Sequence, residues 1–199
     1  MIGRFAIILS LVFGLAACAS VPPANVPFDR IAALRLANVS VEFAAPVTSW
    51  PAAETRFLAG GVDPQVAEKL KGTSAARVPE AQPFLQAQAT ELVAREVRAN
   101  AALIMTGATP ATIVVRVTLF DVPSMMRRVL VDQQAKFQAS IDLIGADGKL
   151  IASYPGKVQT AMMVGGVLAG VADSIQPYDA AQVLVSDYVR AWRSWLTRS

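Results

Sequence analysis

The side chain best placed for covalent chemistry is the thiol of Cys18, the single cysteine of a 199-residue chain. Leu15, Ala16 and Ala17 precede it, and Ala19 and Ser20 follow. Upstream, Arg4 supplies a short positively charged region, and residues 5–15 form an apolar run. That run of about eleven residues suits an export signal and falls short of the ~20 that a membrane-spanning helix needs. Two other readings compete with a processed leader ending in a functional cysteine. An uncleaved anchor helix is disfavoured, because the run stops at Ala17-Cys18-Ala19-Ser20 and then meets Val21-Pro22-Pro23. An ordinary signal peptide accounts for the small residues and gives no reason for the thiol.

Leu15-Ala16-Ala17-Cys18 resembles the lipobox of bacterial lipoproteins. The resemblance implies that residues 1–17 are a signal peptide, that the sulfur of Cys18 receives a diacylglycerol, and that Cys18 becomes the first residue of the mature protein. The membrane is then a partner through the N-terminal lipid. One acyl chain binds a bilayer only marginally, whereas two or more hold a protein there stably. In the best-studied members of this class an aspartate after the cysteine retains the protein in the inner membrane. Ala19 stands there instead, so the resemblance implies the outer membrane, facing the periplasm.

Absent side chains restrict the remaining chemistry. The sequence has no histidine, which removes the commonest general base and metal ligand. With Cys18 committed to lipid, no thiolate nucleophile, disulfide or cysteine zinc site is left. Glu91 with Glu96 and Asp142 with Asp147 are explained by a helix surface and a hairpin end, and Asp121 is an isolated acid at a strand end. Gly165-Gly166 lacks the spaced glycines and the Lys-Ser/Thr of a phosphate loop. No catalytic residue, cofactor or metal site is therefore expected, and the chain reads as a non-enzyme. Arg127-Arg128 is too short a basic run to capture nucleic acid, which needs several phosphate contacts.

One apolar segment asks for a different explanation. Met162, Met163, Val164, Gly165, Gly166, Val167, Leu168 and Gly170 lie in an almost uncharged stretch over residues 161–172, with Gly166 and Gly170 at small-xxx-small spacing. It is too short to span a bilayer. It either tucks against the domain's own core or forms a contact with an envelope protein or a second copy, since Met-rich surfaces adapt to apolar partners.

The rest must position these features. With 54% hydrophobic and 17% charged residues, residues 31–199 can form a single packed domain. Residues 18–30 read as a lipidated cysteine and proline-rich tether, whose stretch 19–28 spans about 20–30 Å. Alternation predicts strands over 34–43, 112–120 and 134–143, and a hairpin return over 149–154 that resumes through 157–160. In the second strand Ile113, Val115, Val117 and Leu119 share one face. Asp63 and Pro64 open a short helix over 63–70. A longer helix over 84–100 buries Leu85, Ala89, Leu92, Val93 and Val97, with Glu91 and Arg95 as an i,i+4 pair. The last helix starts at Asp179, with Gln182 at capping-box spacing, and turns Leu184, Tyr188, Trp192, Trp195 and Leu196 inward.

This pattern predicts an α+β fold, an antiparallel three- to four-stranded sheet with two main helices on one face. The element order behind a lipobox resembles small periplasmic lipoprotein domains: the curli-secretion lipoprotein, the N-terminal domain of TolB, transport-auxiliary lipoproteins, and alphaproteobacterial lipoproteins with a glycine-rich stretch before the last helix. A domain of this kind on a lipid anchor is expected to be a non-catalytic binding or assembly module. The alternative is an accessory lipoprotein that carries hydrophobic cargo for envelope lipid or polysaccharide transport, for which a cavity between sheet and helices is the mark.

Overall fold

In a computed structural model, residues 24–71, 73–124, 127, 130–131, 133–161 and 179–198 are described. Alternating apolar residues make β1 (Leu34–Phe43), β2 (Thr109–Asp121), β3 (Ala135–Gly145), β4 (Leu150–Tyr154) and β5 (Gln159–Ala161). The helices are α1 (Phe28–Ala32), α2 (Pro51–Ala59), α3 (Pro64–Lys69), α4 (Gln82–Ala101) and α5 (Ala180–Leu196). The strands join one five-stranded mixed sheet in the order β1-β2-β3-β4, with β5 also on β3.

The expectation of an antiparallel sheet needs correction at one pair: β1 and β2 run parallel, with Leu34 opposite Thr109 and Phe43 opposite Val117. The cause lies in the connection. The 20 residues of α4 return the chain by about 30 Å at 1.5 Å per residue, roughly the length of β1. β2 therefore restarts at the end where β1 began, and a helical crossover enforces parallel pairing. The remaining pairs, β2–β3, β3–β4 and β3–β5, are antiparallel as expected.

Ala135, Phe137, Ala139, Ile141 and Leu143 are all buried, as their alternation predicts. β2 departs from its pattern near its end. A register shift between Val117 and Leu119 reverses the phase, so Phe120 is buried and Leu119 only half-buried. A one-residue slip moves every later side chain to the other face. Among the predicted positions of α4, Leu85, Ala89, Leu92, Val93 and Val97 are buried. Arg95 approaches Glu96 at 3.7 Å, not the expected Glu91.

The helices cover one face of the sheet, with α4 against β1 and α5 against β3 and β5. The interior is aromatic. Phe120 meets Phe137 edge-on at 5.9 Å, Phe137 meets Tyr188 at 4.8 Å, and Tyr154 reaches Tyr188 at 5.8 Å. Trp192 is 1% exposed beside them in the same core. The other sheet face is polar. Arg116 there lies 3.5 Å from Glu42 and 4.0 Å from Asp142, and Ser153 donates to Asp142 at 2.6 Å.

Candidate functional site

Topology gives the domain two chemically different ends. The starts of β1, β2 and β4 and the finish of β3 share one end. The finish of β2, the start of β3 and the finish of β5 share the other. α5 runs along the same axis, because Asp179 at its start joins Trp50 beside Phe120, while Trp195 near its finish stacks on Tyr154 at 5.1 Å. Its 17 residues separate the two ends by about 25 Å.

The N-terminal segment reaches the first end. Ala24 and Val26 are 7% and 8% exposed, and they line a cleft of about 190 Å³ with Ile151, Ser153, Pro155 and Trp195. Two small apolar side chains fit there because the edge strand β4 and the last turn of α5 leave an apolar margin. Within the stretch 19–28 expected as tether, Ala24 and Val26 thus pack on the domain, and α1 begins at Phe28. Cys18 lies outside the described residues, six positions before Ala24.

At the second end, Trp50 is buried against Phe120, ring centroids 5.1 Å apart. Its indole Nε1 donates to Asp179 Oδ1 at 3.1 Å, and the same oxygen accepts from Ala181 N at 3.0 Å. Asp179 thus caps α5 as its position predicts and also ties that helix to residues 49–51. Gln182, expected to complete the cap, lines a polar cleft of about 220 Å³ with Arg56, Gln88, Glu91 and Arg95. Glu54 sits beneath, accepting from Trp50 N at 2.9 Å and from Ser74 Oγ at 2.6 Å. These groups can hold a polar ligand by hydrogen bonds and charge. The Ser74 hydroxyl, held by the Glu54 carboxylate, is not among the residues that line this cleft.

The isolated acid Asp121 also lies at the second end. Its Oδ1 is buried with no hydrogen-bond partner among the described residues, and Oδ2 is 3.5 Å from Gln133 Nε2. Burial raises its pKa above the usual carboxylate range, opposed by Gln133, Lys136 and Arg127. The other carboxylate pairs are separated by structure. Glu91 faces the cleft while Glu96 turns to Arg95. Asp142 belongs to the polar sheet face, and Asp147 accepts from Lys149 N in the hairpin turn. Among the described residues no group of three metal-ligating side chains occurs.

Leu130 and Val131, 75% and 70% exposed, stand on the connection from β2 to β3 at this end, with exposed Arg127. Sequence reasoning passed over them; the signal was an apolar Val-Leu-Val run inside a polar loop. The segment with Met162, Met163, Val164, Gly165, Gly166, Val167, Leu168 and Gly170 lies outside the described residues, as does Arg128. Its attachment points are placed, however. Ala161 pairs with Ala135 beside the same connection, and the chain resumes at Asp179. No helix among the described residues is long and apolar enough to cross a membrane.

No protein-family model matches the chain, and no curated protein matches it. Among solved structures it is similar to PelC dodecamers from Paraburkholderia phytofirmans. One, a variant, is 13% identical with a TM-score of 0.38, covering 85% of this chain and 90% of that one. Another crystal form is 14% identical with a TM-score of 0.36, covering 85% and 91%. A protein described as a lipoprotein from Caulobacter crescentus is 11% identical with a TM-score of 0.34, covering 55% and 81%. Scores and identities this low establish neither family nor activity.

Proposed function

We propose that this chain is a lipid-anchored envelope lipoprotein, held in the outer membrane and facing the periplasm, that acts as a non-catalytic binding or assembly module. The carrying observation is the division of labour between the ends. The chain leads back to Cys18 from the end where Ala24 is buried. The exposed Leu130 and Val131, and the points where residues 162–178 leave and rejoin the domain, lie at the opposite end. An anchor on one side and an apolar surface on the other suit a protein that presents a docking surface away from its membrane. The occupant of that surface is an envelope protein or a second copy of this chain.

The cargo-carrier reading requires room between sheet and helices. Phe120, Phe137, Tyr188 and Trp192 are fully buried in that core, Phe137 touching both Phe120 and Tyr188, which supports the module over the carrier.

Palmitate labelling of the full chain tests the anchor. The wild type takes the label and fractionates with the envelope, and Cys18→Ser does neither. Purification from detergent-solubilised envelope then tests the module: a protein co-purifies with the wild type and is lost with Leu130→Arg/Val131→Arg. An unmodified thiol on a chain that keeps its leader and is recovered from cytosol would sink the proposal.

A further inference from the structure

We infer that the end of the domain where the chain enters is a membrane-seating surface, laid against the leaflet that holds the Cys18 lipid; the inference rests on the lipoprotein reading. Cys18 precedes the buried Ala24 by six residues, a span of at most about 22 Å even when fully extended. So short a lead keeps this end of the body at the lipid headgroups.

The surface there has the composition that such a position demands. Phe28 on α1, Leu103 after α4 and Leu150 at the start of β4 are 47%, 65% and 60% exposed. They come from three separate parts of the chain, and the topology gathers them. α1 immediately precedes β1, Leu103 lies on the short link from α4 into β2, and Leu150 comes just after the β3–β4 hairpin turn. All three connections belong to the end where β1 and β2 begin and β3 finishes. Single exposed apolar side chains are ordinary, but three converging beside a lipid attachment form a surface with apolar contacts to bury.

The surrounding charge is mainly positive. Arg30 stands two residues after Phe28 within α1, Lys149 adjoins Leu150, and Arg98 and Arg198 are exposed near the finishes of α4 and α5. Asp29 and Asp147 are the carboxylates among them, Asp147 lying 3.3 Å from Lys149. Among the described residues these cations outnumber the carboxylates beside them, which favours phospholipid phosphates. Trp195, half-buried in the last turn of α5, adds an aromatic ring of the kind that settles at headgroup depth. The occupant is thus the bilayer surface itself, with anionic headgroups.

Because Cys18 is the native chain's single cysteine, a second can be labelled selectively once the first is acylated. Leu103→Cys and, as the opposite-end control, Leu130→Cys are made in the full chain. Each is labelled with an environment-sensitive fluorophore and reconstituted in phosphatidylethanolamine–phosphatidylglycerol vesicles containing lipids spin-labelled at the headgroup. The label at position 103 is expected to be strongly quenched and that at 130 left bright. Mass spectrometry of Cys18 on the same samples separates the two failures. An acylated Cys18 with position 103 unquenched, or with both positions quenched alike, overturns the seating surface and leaves the anchor standing. A Cys18 without lipid overturns the lipoprotein reading and this inference together. Both sites are exposed, so matching thermal midpoints with wild type establish that each variant is folded.

Discussion

The Tyr188 hydroxyl fills a gap in the edge of the sheet at Ala139. β4 pairs with β3 over residues 141–144 and β5 pairs with it over residues 135–137, so Ala139 falls between them. Tyr188 accepts from Ala139 N at 3.2 Å and donates to Ala139 O. A hydroxyl can do both at once, and here it replaces the missing strand. Gly156 makes this possible: it adopts φ 70°, and a Cβ there would come within 1.9 Å of the Tyr188 oxygen.

Tyr188→Phe should therefore leave a buried N–H and C=O without partners while keeping the aromatic contacts. That orphaning is expected to cost about 1–3 kcal/mol, read as a lower urea midpoint with an unchanged m-value. A wild-type midpoint would show that the hydroxyl is dispensable.

The same hydroxyl sets an alkaline limit. Burial raises the Tyr188 pKa far above its ordinary value, with the Ala139 N–H opposing. The folded state then holds this proton more tightly than the unfolded chain does. The stabilisation is complete below the ordinary tyrosine pKa of about 10 and declines as pH rises beyond it. Urea midpoints taken from pH 8 to pH 11 should fall for the wild type and fall less for Tyr188→Phe. A residual slope is expected from Tyr154, whose pKa burial also raises.

Asp121 works in the opposite pH range. Because burial raises its pKa, the folded state favours the neutral acid, so stability from this group is present at acid pH and lost as pH climbs through its folded value. Asp121→Asn removes the charge and should raise the thermal midpoint slightly at pH 7. Partial exposure limits the gain to under about 1 kcal/mol. Equal pH profiles for the two proteins between pH 3 and pH 7 would count against the assignment.

Gly107 lets the parallel pair form. Its N–H donates to Leu34 O at 2.8 Å, and a Cβ at this position would stand 2.1 Å from Ala33 O. Gly107→Ala must push β1 away from β2, with an expected loss of about 3 kcal/mol or more, since the obstacle is backbone that cannot rotate aside. Gly61→Ala is the matched control: its added methyl meets open space, so only a smaller cost from the positive φ of 80° remains.

Asp179→Ala should uncap α5 and leave the Trp50 indole N–H without its acceptor. Caps are worth about 0.5–2 kcal/mol, and the stranded indole adds to that. Amide exchange at Ala181 and at the Trp50 indole should accelerate together. Faster exchange at Ala181 alone would mean that the Trp50–Asp179 link contributes nothing.

The apolar N-terminal run, the thiol, the lack of histidine, the alternation of β3 and the inward stripe of α5 were legible in the sequence. Each is a local pattern: a run, an absence, or a period of two or of 3.6 residues. The parallel pairing of β1 and β2 was not legible, because it depends on where α4 delivers the chain. Nor was the inward turn of Phe120, which a one-residue slip between strands decides. Phe28, Leu103 and Leu150 are scattered in sequence and meet only at one end of the sheet, and Ala24 and Val26 read as tether until β4 and α5 supplied a margin to bury them. Periodicity along a chain fixes which way a side chain faces. Which residues become neighbours depends on connections, register and the pairing of distant segments, and those exist only once the chain has folded.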